Sequence, residues 1–168
     1  MISDQIKIRD AKPEDAIAIS LVHQKAIHEI AKKDYPENIL EAWHSLDKEI
    51  HQGKCKALEN KINKKATEII VAEYEDEIIG FGELELKNNT IVAVYIHPKI
   101  KRNGIGTLLL NKLEEIAKYN GLESLTLDGS LTAENFYSTN GFEIIEYGAH
   151  RLRTGDLMKC VKMKKEIG

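Results

Sequence analysis

The segment His97-Pro98-Lys99-Ile100-Lys101-Arg102-Asn103-Gly104-Ile105-Gly106-Thr107 has the residue types of a backbone anion trap. Gly104 and Gly106 remove the side chains that would hold a ligand off the main chain. The run that follows, Leu108 to Ala117, has the apolar spacing of an amphipathic helix, whose first-turn N–H groups would point at phosphate oxygens. Lys101 and Arg102 place positive charge beside those groups, and Asn103, Ile105 and Thr107 share the turn. Upstream, Thr90 to Ile96 is a β-branched run that Pro98 stops. The order is strand, short basic glycine loop, helix. Two common phosphate loops do not fit. A P-loop needs Gly-Lys-Ser or Gly-Lys-Thr, and Thr107 follows Gly106 directly; a dinucleotide fingerprint needs Gly or Ala where Leu109 stands.

Lys101-Arg102-Asn103-Gly104-Ile105-Gly106 resembles the acetyl-CoA loop of the GNAT superfamily of N-acetyltransferases, with Lys where that pattern has Gln or Arg. The segment from Ser130 to Phe142 looks like the family's second signature, with Tyr137 four residues before Gly141-Phe142 and Ser130 at the position often held by Asn. Ile8-Arg9-Asp10-Ala11, with Asp15 nearby, looks like its usual opening, so resembling elements run from Ile6 to about Met163. The resemblance implies an α+β acyl-CoA N-acyltransferase fold: a mixed, mostly antiparallel sheet flanked by helices, with two parallel strands splayed around the cofactor. It implies acetyl-CoA as co-substrate. The main chain of Val94, Tyr95 and Ile96 would bind the pantetheine arm across from Leu125 to Leu127, with Lys101 to Thr107 on the pyrophosphate and Ser130 and Asn135 beside the arm.

Acetyl transfer to an amine poses two proton problems. A primary amine with a pKa of about 10.4 is almost wholly protonated at pH 7, so a base is needed. Glu83 and Glu85, two apart on the predicted strand Ile78 to Lys87, project to one face. Counting through the turn Lys87-Asn88-Asn89 sets Glu83 opposite Ala93 or Val94 and Glu85 closer to the turn; either is a candidate base. Tyr137 matches the family's general acid for the leaving thiolate. Neither Cys55 nor Cys160 lies in the signature segments, which favours direct attack in a ternary complex over a covalent intermediate. A non-catalytic CoA-binding domain of the same fold is the alternative. The acidic pair hints at a cationic acceptor, a small molecule or a peptide, and Ile27 to Trp43 and His150-Arg151-Leu152-Arg153 are the places to look for contacts to it.

Composition agrees with this reading. The 168 residues fit one domain spanning 1–168, and a net charge of −3 argues against a nucleic-acid partner. The cysteines and the six histidines show no metal-binding spacing, so no metal is expected. No apolar run approaches a membrane span and no leader is visible at Met1-Ile2-Ser3, so a cytoplasmic protein without a membrane partner is expected.

The elements that must position these residues follow from periodicity and punctuation. Strands are predicted at Gln5 to Asp10, Thr67 to Tyr74, Ile78 to Lys87, Thr90 to Ile96, Leu122 to Leu127, Phe142 to Tyr147 and Leu157 to Lys164. Helices are predicted from Pro13 to about Lys33, from Pro36 to about Gln52 with Gly53 as its stop, after Gly104 to Asn120-Gly121, and from Thr132 to Thr139. Lys54 to Lys65 reads as helix or loop. A strand near Leu157 to Met163 at the sheet edge would support a homodimer.

Overall fold

In the strand Glu68–Tyr74 (β2), Ile70 and Ala72 lie in one apolar cluster while Ile69 and Val71 lie in another, and all four are buried. Such a strand must be covered on both faces, and the rest of the chain supplies the covers. The computed structural model describes residues 2–100 and 103–168. The chain runs Lys7–Asp10 (β1), Ala16–Glu29 (α1), Glu37–Trp43 (α2), Lys48–Lys64 (α3), β2, Glu77–Glu85 (β3), Thr90–Ile96 (β4), Ile105–Tyr119 (α4), Ser124–Ser130 (β5), Glu134–Thr139 (α5), Glu143–Arg151 (β6) and Leu157–Glu166 (β7). The sheet order is β1-β2-β3-β4-β5-β7-β6, and every neighbouring pair is antiparallel except β4 with β5. This is the mixed α+β sheet the resemblance implied.

Strands β2, β3 and β4 form an antiparallel meander, with β1 paired to the outer side of β2. Glu75 and Asp76, both at positive φ, make the tight turn between β2 and β3. Helix α4 covers one face with Leu109, Leu110 and Leu113, all sealed from solvent. Helices α1 and α3 cover the other, packing Ala16, Ile19, Val22 and Ile62 on Ile69, Val71 and Phe81. Ile17 and Leu21 of α1 are exposed instead.

The region from Pro36 to Lys65 departs from the sequence expectation. Helix α2 stops at His44, whose backbone is extended, and Asp47 starts α3 by accepting a hydrogen bond from the Ile50 N–H at 3.0 Å. Gly53 lies inside α3 rather than ending a helix, and Lys54 to Lys64 is helical, closed by Lys65 in the left-handed conformation. Strand β7 is also not an edge: it lies between β5 and β6, and β6 is the outer strand.

A half-buried ion cluster fixes α1 to the sheet. The Arg9 guanidinium donates to Asp15 at 2.7 and 3.1 Å and to Glu73 at 2.9 and 3.1 Å, tying β1, β2 and the start of α1 together. Burial opposes ionisation of Asp15, but Arg9 and the Lys12 N–H at 2.7 Å outweigh it and hold the carboxyl below its ordinary range. A depressed native pKa gives stability that is complete above the unfolded value of about 3.9 and is lost as pH falls through the native value. Asp15→Asn should therefore lower stability in urea by roughly 1–3 kcal/mol at pH 7, with the gap from wild type shrinking towards pH 2. A gap undiminished at pH 2 would assign this docking to packing alone.

Candidate active site

Strands β4 and β5 are paired at one point, Thr90 with Thr126. The junction is tied there: the Thr126 N–H donates to the Asn89 carbonyl at 2.9 Å, and the Asn89 side chain donates to the Ser124 carbonyl at 3.0 Å. Beyond it the strands part. The cause lies in register, because Glu83 pairs with Ala93 while Leu84 pairs with Ile91, which leaves Val92 as an extra residue on β4. A bulge bends the strand that carries it and sharpens its twist, drawing β4 away from β5. Glu83 stands opposite Ala93, one of the two positions that hairpin counting allowed.

The opening leads into a cavity of about 430 Å³, lined by Val94, Tyr95 and Ile96 on one side and Ser130, Thr132, Ala133 and Phe136 on the other. Asn103, Gly104, Ile105, Gly106 and Thr107 also line it, and Trp43 reaches in from α2. Gly104 caps α4 in the left-handed conformation, φ 74°, and a Cβ there would project into open space. Gly106 is needed for a different reason: a Cβ would come within 2.9 Å of the Phe136 ring. The first helical hydrogen bond of α4 runs from the Leu108 N–H to the Gly104 carbonyl, so the N–H groups of Ile105, Gly106 and Thr107 lie ahead of the ladder, where an anion would meet them. Lys101 and Arg102 lie outside the described residues. The open strand edge, the apolar trough and this helix start together fit a phosphorylated ligand with an extended amide-bearing arm.

A second cavity, of about 290 Å³, lies on the α1–α3 face of the sheet, and Tyr95 lines both. Its wall is mostly apolar, from Ile19, Leu58, Ile69, Phe81 and Ala93, with Glu83, Lys61, Lys54, His23 and His44 as the groups that carry chemistry. Buried Glu83 lines this cavity, is paired with Lys61 and accepts from Thr67 Oγ1 at 2.9 Å; both contacts use Oε2. Glu85 is only half-buried, takes a hydrogen bond from Asn88 at 2.6 Å and lines neither cavity.

The histidines were not singled out by spacing, because three separate helical segments bring them together. His23 Nδ1 lies 2.9 Å from His44 Nδ1, and His28 Nε2 donates to the His44 carbonyl at 2.6 Å. Lys54 Nζ is 3.4 Å from the same His44 nitrogen and donates to the Trp43 carbonyl at 3.1 Å. The single lone pair of His44 Nδ1 cannot serve both contacts, and the shorter is to His23; His44 Nε2 is buried without a partner. Burial, followed by the nearby Lys54, pushes the His44 pKa down to about 3. Burial and His44 likewise push His23 down, so both rings are neutral at pH 7. A sequence signal for this wall exists in α3: Lys54, Leu58 and Lys61 fall on one helical face.

Tyr137 is buried in the main core, edge-on to Phe136 and Phe142. Burial raises its pKa. Its hydroxyl is near enough to that of Tyr95 to add to the upward shift that burial produces there. Ser130 lines the first cavity while its Oγ accepts from the Ala133 N–H at 3.2 Å. Asn135, expected at the cofactor arm, is exposed and lines no part of that cavity. Leu152 packs against the cluster around Tyr35 and Met158, and the charge of Arg153 acts on Lys54, but the β6–β7 connection contributes no lining residue to the second cavity. Among the described residues no group of three or more His, Cys, Asp or Glu is arranged to hold a metal ion, and no helix is long and apolar enough to cross a membrane.

Comparison with known proteins agrees with this geometry. Residues 30–167 match the acetyltransferase (GNAT) domain family. The chain is 23% identical over 143 residues to an uncharacterized N-acetyltransferase, YafP, of Escherichia coli strain K12, covering 85% of each. A GCN5-related N-acetyltransferase structure from Rhodopseudomonas palustris superposes with a TM-score of 0.84 at 24% identity, covering 95% of this chain and 94% of that one. The PaiA N-acetyltransferase of Thermoplasma acidophilum, solved in complex with coenzyme A, superposes with a TM-score of 0.75 at 24% identity, covering 96% and 98%.

Proposed function

Because the chain belongs to the acetyltransferase (GNAT) family, we propose that it transfers acetyl from acetyl-CoA to the amino group of a small acceptor by direct attack in a ternary complex. One observation carries this reading: the trough between β4 and β5 and the cavity over Glu83 meet at Tyr95, so a donor in one and an acceptor in the other would be brought together at the strand that separates them. Acetyl-CoA, when bound, supplies the activated acyl thioester. The N–H groups of Ile105, Gly106 and Thr107 hold its pyrophosphate, and the main chain of Val94 to Ile96 takes the pantetheine amides as a substitute strand.

Glu83 Oε1 accepts the amine proton, directly or through one water, while Lys61 and Thr67 on Oε2 fix the carboxylate plane. Glu85 is set aside as base, because Asn88 holds its carboxylate at the turn end of β3, opposite Thr90 and away from Tyr95, where the cavities meet. Tyr137 keeps its proton at neutral pH, since burial raises its pKa. A thiolate with an ordinary pKa of about 8.5 is a weaker base than tyrosinate, so Tyr137 acts by hydrogen bonding to the developing thiolate rather than by giving up its proton outright. Such a bond to a charged group is worth about 1.5–3 kcal/mol.

Two kinetic tests follow the thiol released from acetyl-CoA. Tyr137→Phe should lower kcat by about 10- to 100-fold with acetyl-CoA affinity by calorimetry nearly unchanged, because the bond strengthens only as the thiolate forms. Unchanged kcat with chemistry rate-limiting would return Tyr137 to a packing role. Glu83→Gln should lower kcat/KM by about 10²- to 10⁴-fold at pH 7 and recover towards pH 10, where free neutral amine replaces what the base supplied. A wild-type pH profile in a folded Glu83→Gln protein would remove Glu83 as base.

A further inference from the structure

Lys54 is the one charged group on the acceptor-cavity wall without a counter-ion among the described residues. Its neighbour on the same helix face, Lys61, is neutralised by Glu83. Lys54 Nζ instead donates to the Trp43 carbonyl and lies 3.4 Å from His44 Nδ1, both uncharged, so at least one of its three N–H groups has no protein acceptor. No carboxylate offsets it, and the strongest charge effect on it comes from Arg153, of the same sign. Since Glu83 and Lys61 cancel and both histidines are neutral, the cavity carries a net positive charge inside walls that are otherwise apolar.

An ammonium in a low-dielectric cavity is costly unless an anion pairs with it, and here the anion must come from the ligand. Building on the transferase reading above, we propose that the acceptor is a small amine that also carries an acid group, its amino end at Glu83 and its acid end at Lys54, with Arg153 strengthening the field. The wall excludes the cationic acceptor that Glu83 and Glu85 suggested in the sequence: a diamine would place its second ammonium against Lys54. Burial and Arg153 already press the Lys54 pKa down, and an acid group in the cavity would reverse that pressure. The apolar part of the wall, with Phe81, Leu58 and Ile69, fits an apolar side chain carried beside the amine and acid groups.

The test compares matched acceptors in the thiol-release assay: phenylalanine against phenethylamine, leucine against isoamylamine, the phosphonate analogue of phenylalanine, and putrescine. The acid-bearing amines should exceed their acid-free counterparts at least tenfold in kcat/KM, as expected for a charge-assisted hydrogen bond, and putrescine should be poorest. The carboxylate and phosphonate arms tell which acid the site takes. Lys54→Met, which keeps the stem and removes the charge, should bring the paired acceptors to within about twofold of each other, while Lys54→Arg keeps most of the preference. The proposal is overturned if phenethylamine or putrescine outruns the amino acids in the wild-type protein, or if the preference survives Lys54→Met. If acetyl-CoA binds but no amine in the panel is acetylated, the transferase reading falls and this assignment with it.

Discussion

The single pairing between Thr90 and Thr126 is the constraint on which the rest of the site depends. A continuous parallel pair would satisfy every main-chain group along β4 and leave no room for an extended ligand. The extra residue Val92 prevents that by bending β4, and Asn89 with Ser124 keeps the strands fastened at one end so that the opening is a wedge and not a broken sheet. The free edge at Val94 to Ile96 then lies just before the loop whose glycines shape the start of α4. Edge, trough and helix start are therefore consecutive in sequence, which is why one short run encodes most of the proposed cofactor site.

Tyr95 couples the two halves. Its ring is stacked on Phe81 at 5.7 Å and meets the His23 ring at 4.5 Å, and its residue lines both cavities. Gly80, opposite Ile96, allows close packing beside this strand: a Cβ there would come within 2.7 Å of the Ile96 side chain and 3.1 Å of the Tyr95 carbonyl. The chemistry on either side differs in kind. The trough offers unpaired backbone and apolar walls, whereas the second cavity holds its polar groups in a layer of neutral imidazoles, one lysine–glutamate pair and one uncompensated ammonium.

Local features of the sequence translated well into structure. The β-branched run, the proline stop and the two glycines placed β4, the loop and α4, and hairpin counting put Glu83 opposite Ala93 or Val94, of which the structure has Ala93. What the sequence concealed was non-local. His23 belongs to α1, His44 ends α2 and Lys54 lies in α3, so their meeting depends on how three helical segments dock, and spacings of five or seven residues carry no trace of it. The break at His44 was hidden because no glycine or proline marks it; Glu41 takes the Leu46 N–H at 2.6 Å and Asp47 caps the next helix, while Gly53, the apparent breaker, is absorbed into α3. Asn135 lies outside the trough because the short helix α5 turns that position to solvent, leaving Phe136 in the trough and Tyr137 in the core.

Hydrogen exchange with and without acetyl-CoA tests the central claim most directly. The account predicts that acetyl-CoA raises amide protection across Val94 to Ile96 and Gly104 to Thr107 together, since the same ligand completes the open strand and occupies the helix start, whereas ATP at equal concentration leaves Val94 to Ile96 unchanged. Saturating acetyl-CoA that left Val94 to Ile96 exchanging as in the free protein would contradict it.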